Sequence, residues 1–168
     1  EEFDRYLKKL EETFQELHKD FDNYHTYEGM NNIMNINEQA GIAPVKVSDE
    51  MIELLTITEE RYDTISTKTD ISNGALYAVW HKYREEGLDA PETAVLPPKE
   101  ELDAAASHSG MQHIVIDEAA KTVFIDDKNV QMDLGAVAKG YATERAAKIL
   151  EAEGLISGIV NSGGNIRT

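Results

Sequence analysis

Phe3, Leu7, Leu10, Phe14, Leu17 and Phe21 recur at alternating steps of four and three, with charged residues between them. That spacing puts one apolar stripe on a helix, whose simplest use is packing against its own domain. A coiled-coil seam is the alternative and calls for a longer repeat. From Tyr24 to Asn37 the chain is polar, aromatic and rich in asparagine, which predicts a structured loop with a short helix around Asn31–Ile36. Gly41 to Val47 reads as a turn and a short extended piece. Ser48 is a good N-cap for a helix from Asp49 to about Thr64 that carries Met51, Ile52, Leu54, Leu55 and Ile57. A further helix, Ala75 to Glu86, is expected to stop at Gly87. In it Trp80, with Tyr77 and Tyr83 three residues to either side, is expected to be core. Pro91, Pro97 and Pro98 mark a loop, and Lys99 to Ser107 a short helix with Pro98 near its first turn.

The period then changes to two. Gln112–Asp117 and Lys121–Asp126 read as strands joined by Glu118-Ala119-Ala120 into an antiparallel hairpin. Val130 to Leu134 reads as a short strand, Val137 to Glu153 as an alanine-rich helix closed by Gly154, and Gly158 to Asn161 as another strand. Asn161-Ser162-Gly163-Gly164-Asn165 is a turn leading into a new strand. Helices precede a strand–helix part, so the expected class is α+β, with N-terminal helices over residues 1–110 and a mixed, mainly antiparallel sheet with a helix over 111–168. A hairpin and a few short strands leave an unpaired edge. The sheet is therefore expected to be incomplete, with a C-terminal portion missing.

Composition narrows the classes of function. The chain has 168 residues, 41% hydrophobic and 29% charged, as a globular domain does. Asp and Glu number 32 against 16 Lys and Arg, a net charge of −16 without a basic cluster, so no nucleic-acid partner is expected. The absence of cysteine excludes disulfides and thiol catalysis. The opening Glu1-Glu2-Phe3-Asp4 has no basic n-region and no apolar h-region, so a signal peptide is not expected. The five histidines lack ligand spacing, and Asp20-Phe21-Asp22-Asn23 lacks the glycine and terminal glutamate of a calcium loop.

The chemistry concentrates in Asp133-Leu134-Gly135-Ala136-Val137-Ala138-Lys139-Gly140-Tyr141-Ala142-Thr143. A strand ends in an aspartate, turns at a glycine and enters a helix with a lysine in its first turn. A cation there opposes the helix dipole, whereas a bound anion would gain from N–H groups, dipole and ammonium together. Phosphate or pyrophosphate is the natural anion. The other reading is a close-packing turn with Lys139 merely solvated. Neither a Walker A loop, which needs Lys-Ser or Lys-Thr after Gly140, nor a dinucleotide fingerprint fits. Asp133 is open to two readings, N-cap or functional carboxylate. The Gly163-Gly164 segment is likewise an ordinary turn or an anion nest.

Asp133–Ala142 closely resembles the DLGGIAKGYA signature of the ApbE family, the FAD:protein FMN transferases. Asn161–Arg167 is similar to the family's N-x-G-G-[DN]-I-R segment. Tyr24 followed by Asn31, Ile33 and Asn35 resembles its Y…S-x-I-x-x-x-N stretch. Thr69-Asp70-Ile71-Ser72-Asn73-Gly74-Ala75-Leu76 with Trp80 resembles F-D-x-x-x-G-P-L-x-x-x-W. The resemblance implies an ApbE-like, T-fold-related domain that is partial over 1–168. It implies transfer of FMN from FAD to a Thr or Ser hydroxyl of a partner flavoprotein, with Mg²⁺ and release of AMP. It further implies FAD contacts at Asp133 and Lys139, flavin or adenosine contacts at Tyr24, Lys68, Thr69 and Asp70, and a Mg²⁺ ligand in the Ala136 carbonyl. Ala136, Thr69 and Ala75 depart from the commoner Gly, Phe and Pro. The resemblance places further magnesium ligands, a general base and later strands beyond Thr168, in a C-terminal polypeptide completing the domain. It also implies lipid anchoring at the extracytoplasmic face of the membrane. The alternatives are a non-catalytic flavin-binding or scaffold domain of this fold, and an acidic interaction domain using the Phe3–Phe21 stripe.

Overall fold

A computed structural model describes residues 2–168; Glu1, the first residue of the acidic opening, lies outside them. The first helix, α1 (Glu2–Phe21), carries Glu2 and Asp4 in its first turn and His18 and Lys19 in its last, charges that suit the helix dipole. Its apolar stripe packs on its own domain from Leu10 onward. Leu10 and Phe14, with Tyr6, lie against Ala147, Leu150 and Val160, and Phe21 joins the main core. Phe3 and Leu7 stand exposed.

The main core is closed by α2 (Ile33–Glu38), α3 (Asp49–Thr64) and a three-stranded sheet. The strands β1 (Val45–Lys46), β2 (Ile114–Asp117) and β3 (Thr122–Ile125) run in the order β1-β3-β2, both pairings antiparallel. Val45, Ile114, Val123 and Ile125 are buried while Val115 points outward, the alternation expected of a sheet with one covered face. Ser48 caps α3 by accepting the Met51 N–H at 2.9 Å. Gln112 and His113 sit in a 3-10 turn, so β2 begins only at Ile114.

Three expectations fail here, for physical reasons. Val130, Met132 and Leu134 are buried, but they do not form a strand. Gln131 makes a single parallel bridge to Asn73, beside bonds from the Gly74 N–H to the Gln131 carbonyl and from the Asp133 N–H to the Ile71 carbonyl. The partner segment turns at once into α4 (Gly74–Asp89), which leaves no room for a longer ladder. The alternation in 130–134 therefore records burial, not pairing. Tyr77 and Trp80 are not core either: each is 45% exposed. Among the described residues, α4 rests mainly on α5 (Lys99–Ala106) and the 3-10 turn at Pro91–Thr93. Tyr83 ties it to α5 through Glu101 at 2.7 Å. The helix also passes through Gly87, where Ala94 packs close against its surface.

The last helix, α6 (Ala138–Ala152), buries Ala142, Ala146, Ala147 and Leu150, and its alanines let α1 approach closely. It meets α3 through Tyr141 to Glu53 at 2.6 Å and Arg145 to Glu50 at 3.0 Å. A second sheet, β4 (Val160–Ser162) with β5 (Asn165–Arg167), lies on α6. Gly163 and Gly164 both have positive φ, and Asn161 Oδ1 accepts the Gly164 N–H at 3.0 Å. The Gly-Gly pair thus makes a hairpin turn, for which glycine is the favoured residue. The described residues are α+β, with helices first and two small antiparallel sheets.

Candidate functional site

The segment from Asp133 to Lys139 leaves the core at buried Leu134 and turns into α6. Asp133 does not cap that helix. The N-cap is Val137, which offers no side-chain hydrogen bond, so the first-turn N–H groups of α6 have no side-chain acceptor. Asp133 Oδ1 instead accepts the Gly135 N–H at 2.8 Å, an Asx turn. A Cβ at 135 would sit 2.9 Å from that oxygen, so a larger residue there would have to displace the Asp133 carboxylate. Lys139, exposed in the first turn, makes no ion pair among the described residues. An uncapped helix start with a free ammonium is an arrangement that an anion completes.

Beside this turn lies a cavity of about 360 Å³. Phe14, Leu17, His18 and Phe21 of α1 form one wall. Asp22, Asn23 and Tyr24 form the second, and Asp133, Gly135, Ala138 and Lys139 the third. The structure thus brings together Tyr24, Asp133 and Lys139 of the expected site. Thr69 and Ala136 face a different cavity of about 730 Å³ between α3 and α6, with Arg61, Tyr62 and Tyr141. Lys68 and Asp70 line neither. Asp70 Oδ1 accepts the Ser72 N–H and hydroxyl, a turn that leads into α4. Residue 136 stands in the turn that leads into α6, whose first turn lines both cavities.

The loop bearing Tyr24 is held by Asp22, which is 7% exposed. Its carboxylate accepts from the Tyr24 N–H at 2.8 Å, the Tyr27 hydroxyl at 2.7 Å and His25 Nδ1 at 3.0 Å. Burial alone would raise the carboxyl, but the bonds from Tyr27, Tyr24 and His25 outweigh it and hold it at about 2. The folded value lies below the unfolded one, so this stabilisation is full above about pH 3.8 and is lost as pH falls toward 2. Asp22→Asn is expected to cost about 2 kcal/mol at neutral pH, with the gap to the unmodified chain closing between about pH 4 and 2 in urea titrations. A gap independent of pH would contradict this assignment.

Relatives place the chain in a family. The ApbE family profile matches residues 2–168. The chain belongs to the ApbE family. It is 27% identical over 136 residues to the FAD:protein FMN transferase of Klebsiella pneumoniae (strain 342), covering 81% of this chain and 41% of that protein. The Escherichia coli (strain K12) protein of the same name is 25% identical over 145 residues, covering 85% and 40%. The chain thus spans about two fifths of the length of these curated relatives. The flavin transferase ApbE of Vibrio cholerae superposes with a TM-score of 0.81 at 22% identity, over 98% of this chain and 50% of that one. The Thermotoga maritima ApbE protein gives 0.79 at 24%, over 97% and 50%. These likenesses bear out the α+β fold.

In ApbE terms, the asparagine-rich stretch needs one correction. Counted from Asn31, the pattern S-x-I-x-x-x-N ends on Asn37, not Asn35. Asn35 completes the capping box of α2 with Asn32. Asn37 instead grips the Met132 peptide, accepting its N–H at 2.7 Å and donating to its carbonyl at 3.0 Å. Asn23, which lines the cavity and bonds both Asn37 and Asp133, was not expected as a site residue. The only signal for it was a neighbouring asparagine-rich run. The described residues contain no group of three or more His, Cys, Asp or Glu able to hold a metal ion. No described helix is long and apolar enough to cross a membrane.

Proposed function

We infer that the chain forms part of an FAD:protein FMN transferase and that the cavity between α1 and the start of α6 takes the flavin nucleotide. The observation that carries this reading is the meeting of Tyr24, Asp133 and Lys139 around one aromatic-walled cavity at an uncapped helix start. Phe14, Phe21 and Tyr24 offer flat apolar surface to a ring system. The Lys139 ammonium and the N–H groups of Lys139 and Gly140 neutralise the pyrophosphate, the Ala138 N–H being taken by the Leu134 carbonyl at 2.8 Å, and Asp133 accepts a hydrogen bond from the ligand. Lys68, Thr69 and Asp70 line no part of this cavity, and a role for them at the nucleotide rests on the family resemblance alone.

In the reaction so assigned, a Thr or Ser hydroxyl of a partner flavoprotein attacks the FMN-side phosphorus. The phosphoanhydride bond to AMP breaks, the hydroxyl proton is lost, and AMP departs. The contribution of this chain is to hold the pyrophosphate and offset its charge, which is most of what phosphoryl transfer asks of a protein. Mg²⁺ dependence rests on the family resemblance. The residues present do not by themselves fit a magnesium site, and no step here passes through the metal. We assign residues 1–110 and 111–168 to one partial domain that a C-terminal polypeptide completes. Its location, lipid-anchored on the extracytoplasmic face, rests on the same resemblance.

Lys139→Ala tests the assignment. FAD affinity is expected to fall about tenfold, the worth of one charge-assisted contact, with riboflavin affinity unchanged. Fluorescence titration with both ligands checks it. Equal losses for the two, or none, would reject the pyrophosphate contact.

A further inference from the structure

Asn37 reads the backbone N–H and carbonyl of Met132. Because its Oδ1 takes the peptide N–H and its Nδ2 faces the carbonyl, the amide cannot flip without setting donor against donor and acceptor against acceptor. The remaining Nδ2 hydrogen goes to Asn23 Oδ1 at 3.2 Å. That bond fixes Asn23 in turn, with its Nδ2 toward Asp133 Oδ2 at 3.3 Å. The second carboxylate oxygen of Asp133 is held by the Gly135 N–H. The backbone of Met132, inside the core, therefore dictates, through two side-chain amides, which group Asp133 meets.

The geometry points to Asn37 and Asn23 as positioning residues, a polarity-locked relay that sets the orientation of the Asp133 carboxylate in the wall of the flavin cavity. The relay joins elements far apart in the chain: Asn23 follows α1, Asn37 lies in α2, and Asp133 precedes α6. It thereby couples the loop beside Tyr24 to the turn that presents Lys139. Its functional meaning rests on the flavin reading above, whereas its geometry does not.

Asn23→Asp is the discriminating variant, because it leaves the Asn37 clamp on Met132 intact. It sets two carboxylates side by side, which share a proton at low pH and repel when both are ionised. The shared proton restores the lost donor, so FAD affinity relative to the unmodified chain is expected near parity at about pH 5 and about tenfold lower at about pH 8. His18, Asp22, Tyr24 and Lys139, the other titratable groups lining the cavity, are common to both proteins and cancel in that ratio. His25, bonded to Asp22, and His81, packed on Tyr24, cancel likewise. An unchanged ratio, or a loss equal at both pH values, overturns the relay. Asn37→Ala should weaken FAD binding in the same direction at both pH values.

Failure of the unmodified chain to bind FAD would reject the flavin reading and leave the relay to a second readout. Carbon-13 NMR of the side-chain carboxyls in Asn23→Asp is expected to show the Asp133 signal titrating in two linked steps with its new neighbour. Independent single titrations would overturn the relay whatever the flavin result.

Discussion

Asn32→Asp is expected to lower the unfolding free energy by about 3 to 5 kcal/mol at neutral pH, the cost of a buried and opposed charge. Asn32 is fully buried, and its Nδ2 donates to the carbonyls of Lys19 at 2.9 Å and His25 at 2.8 Å. The first is one of the carbonyls that the end of α1 leaves without an intrahelical partner. Its Oδ1 receives the Asn35 N–H that starts α2. One side chain thus ends α1, shapes the Tyr24 loop and begins α2. Aspartate keeps the acceptor but turns an anionic oxygen toward two carbonyls. Protonation supplies one donor again, so part of the loss should return near pH 4, as urea titrations at the two pH values would show. A loss below about 1 kcal/mol would mean that the loop does not depend on this amide.

Asp20→Asn is expected to do the opposite and stabilise the chain by about 3 kcal/mol near pH 8. Asp20 is 4% exposed, and its Oδ1 is buried without a hydrogen-bond partner. Burial pushes its carboxyl up to about 6, the Ser48 hydroxyl partly opposes this, and Glu50 adds to it. The folded state therefore holds a proton that the unfolded state has released between about pH 3.8 and 6, and stability falls as pH rises through that window. Asparagine keeps the acceptor for Ser48 and removes the charge. The gain should be full above about pH 6 and vanish near pH 4, measured as the difference in unfolding free energy between the two proteins. A gain independent of pH would show that the carboxylate is not the cause.

Asp20 and Asp22 also mark a limit of sequence reading. They are two residues apart and chemically identical, yet one is raised to about 6 and the other held at about 2. The difference lies in Tyr27, His25 and Ser48, whose approach depends on how α1 ends. Local signals were read well: the Ser48 cap, the β2–β3 hairpin, the alanine face of α6. Burial without pairing at Val130–Leu134 was not legible, because alternation looks alike in both cases. Trp80 misled for the reverse reason, since helical spacing cannot say whether a neighbour covers that face. At the site, contiguous Asp133 and Lys139 were legible from the turn, and Tyr24 joined them through the family resemblance. Thr69 and Ala136 proved to face another cavity, and Asn23 depends on a long-range amide contact that no local spacing encodes.

We propose that this chain receives FAD with the pyrophosphate at the start of α6. The most direct test is a nitrogen-15 NMR titration of the chain with FAD and, separately, riboflavin. FAD is expected to shift the amides of Lys139, Gly140, Asn23 and Tyr24, and riboflavin to move the last two while sparing the first two. Shifts confined to α4 and α5, or identical maps for both ligands, would contradict it.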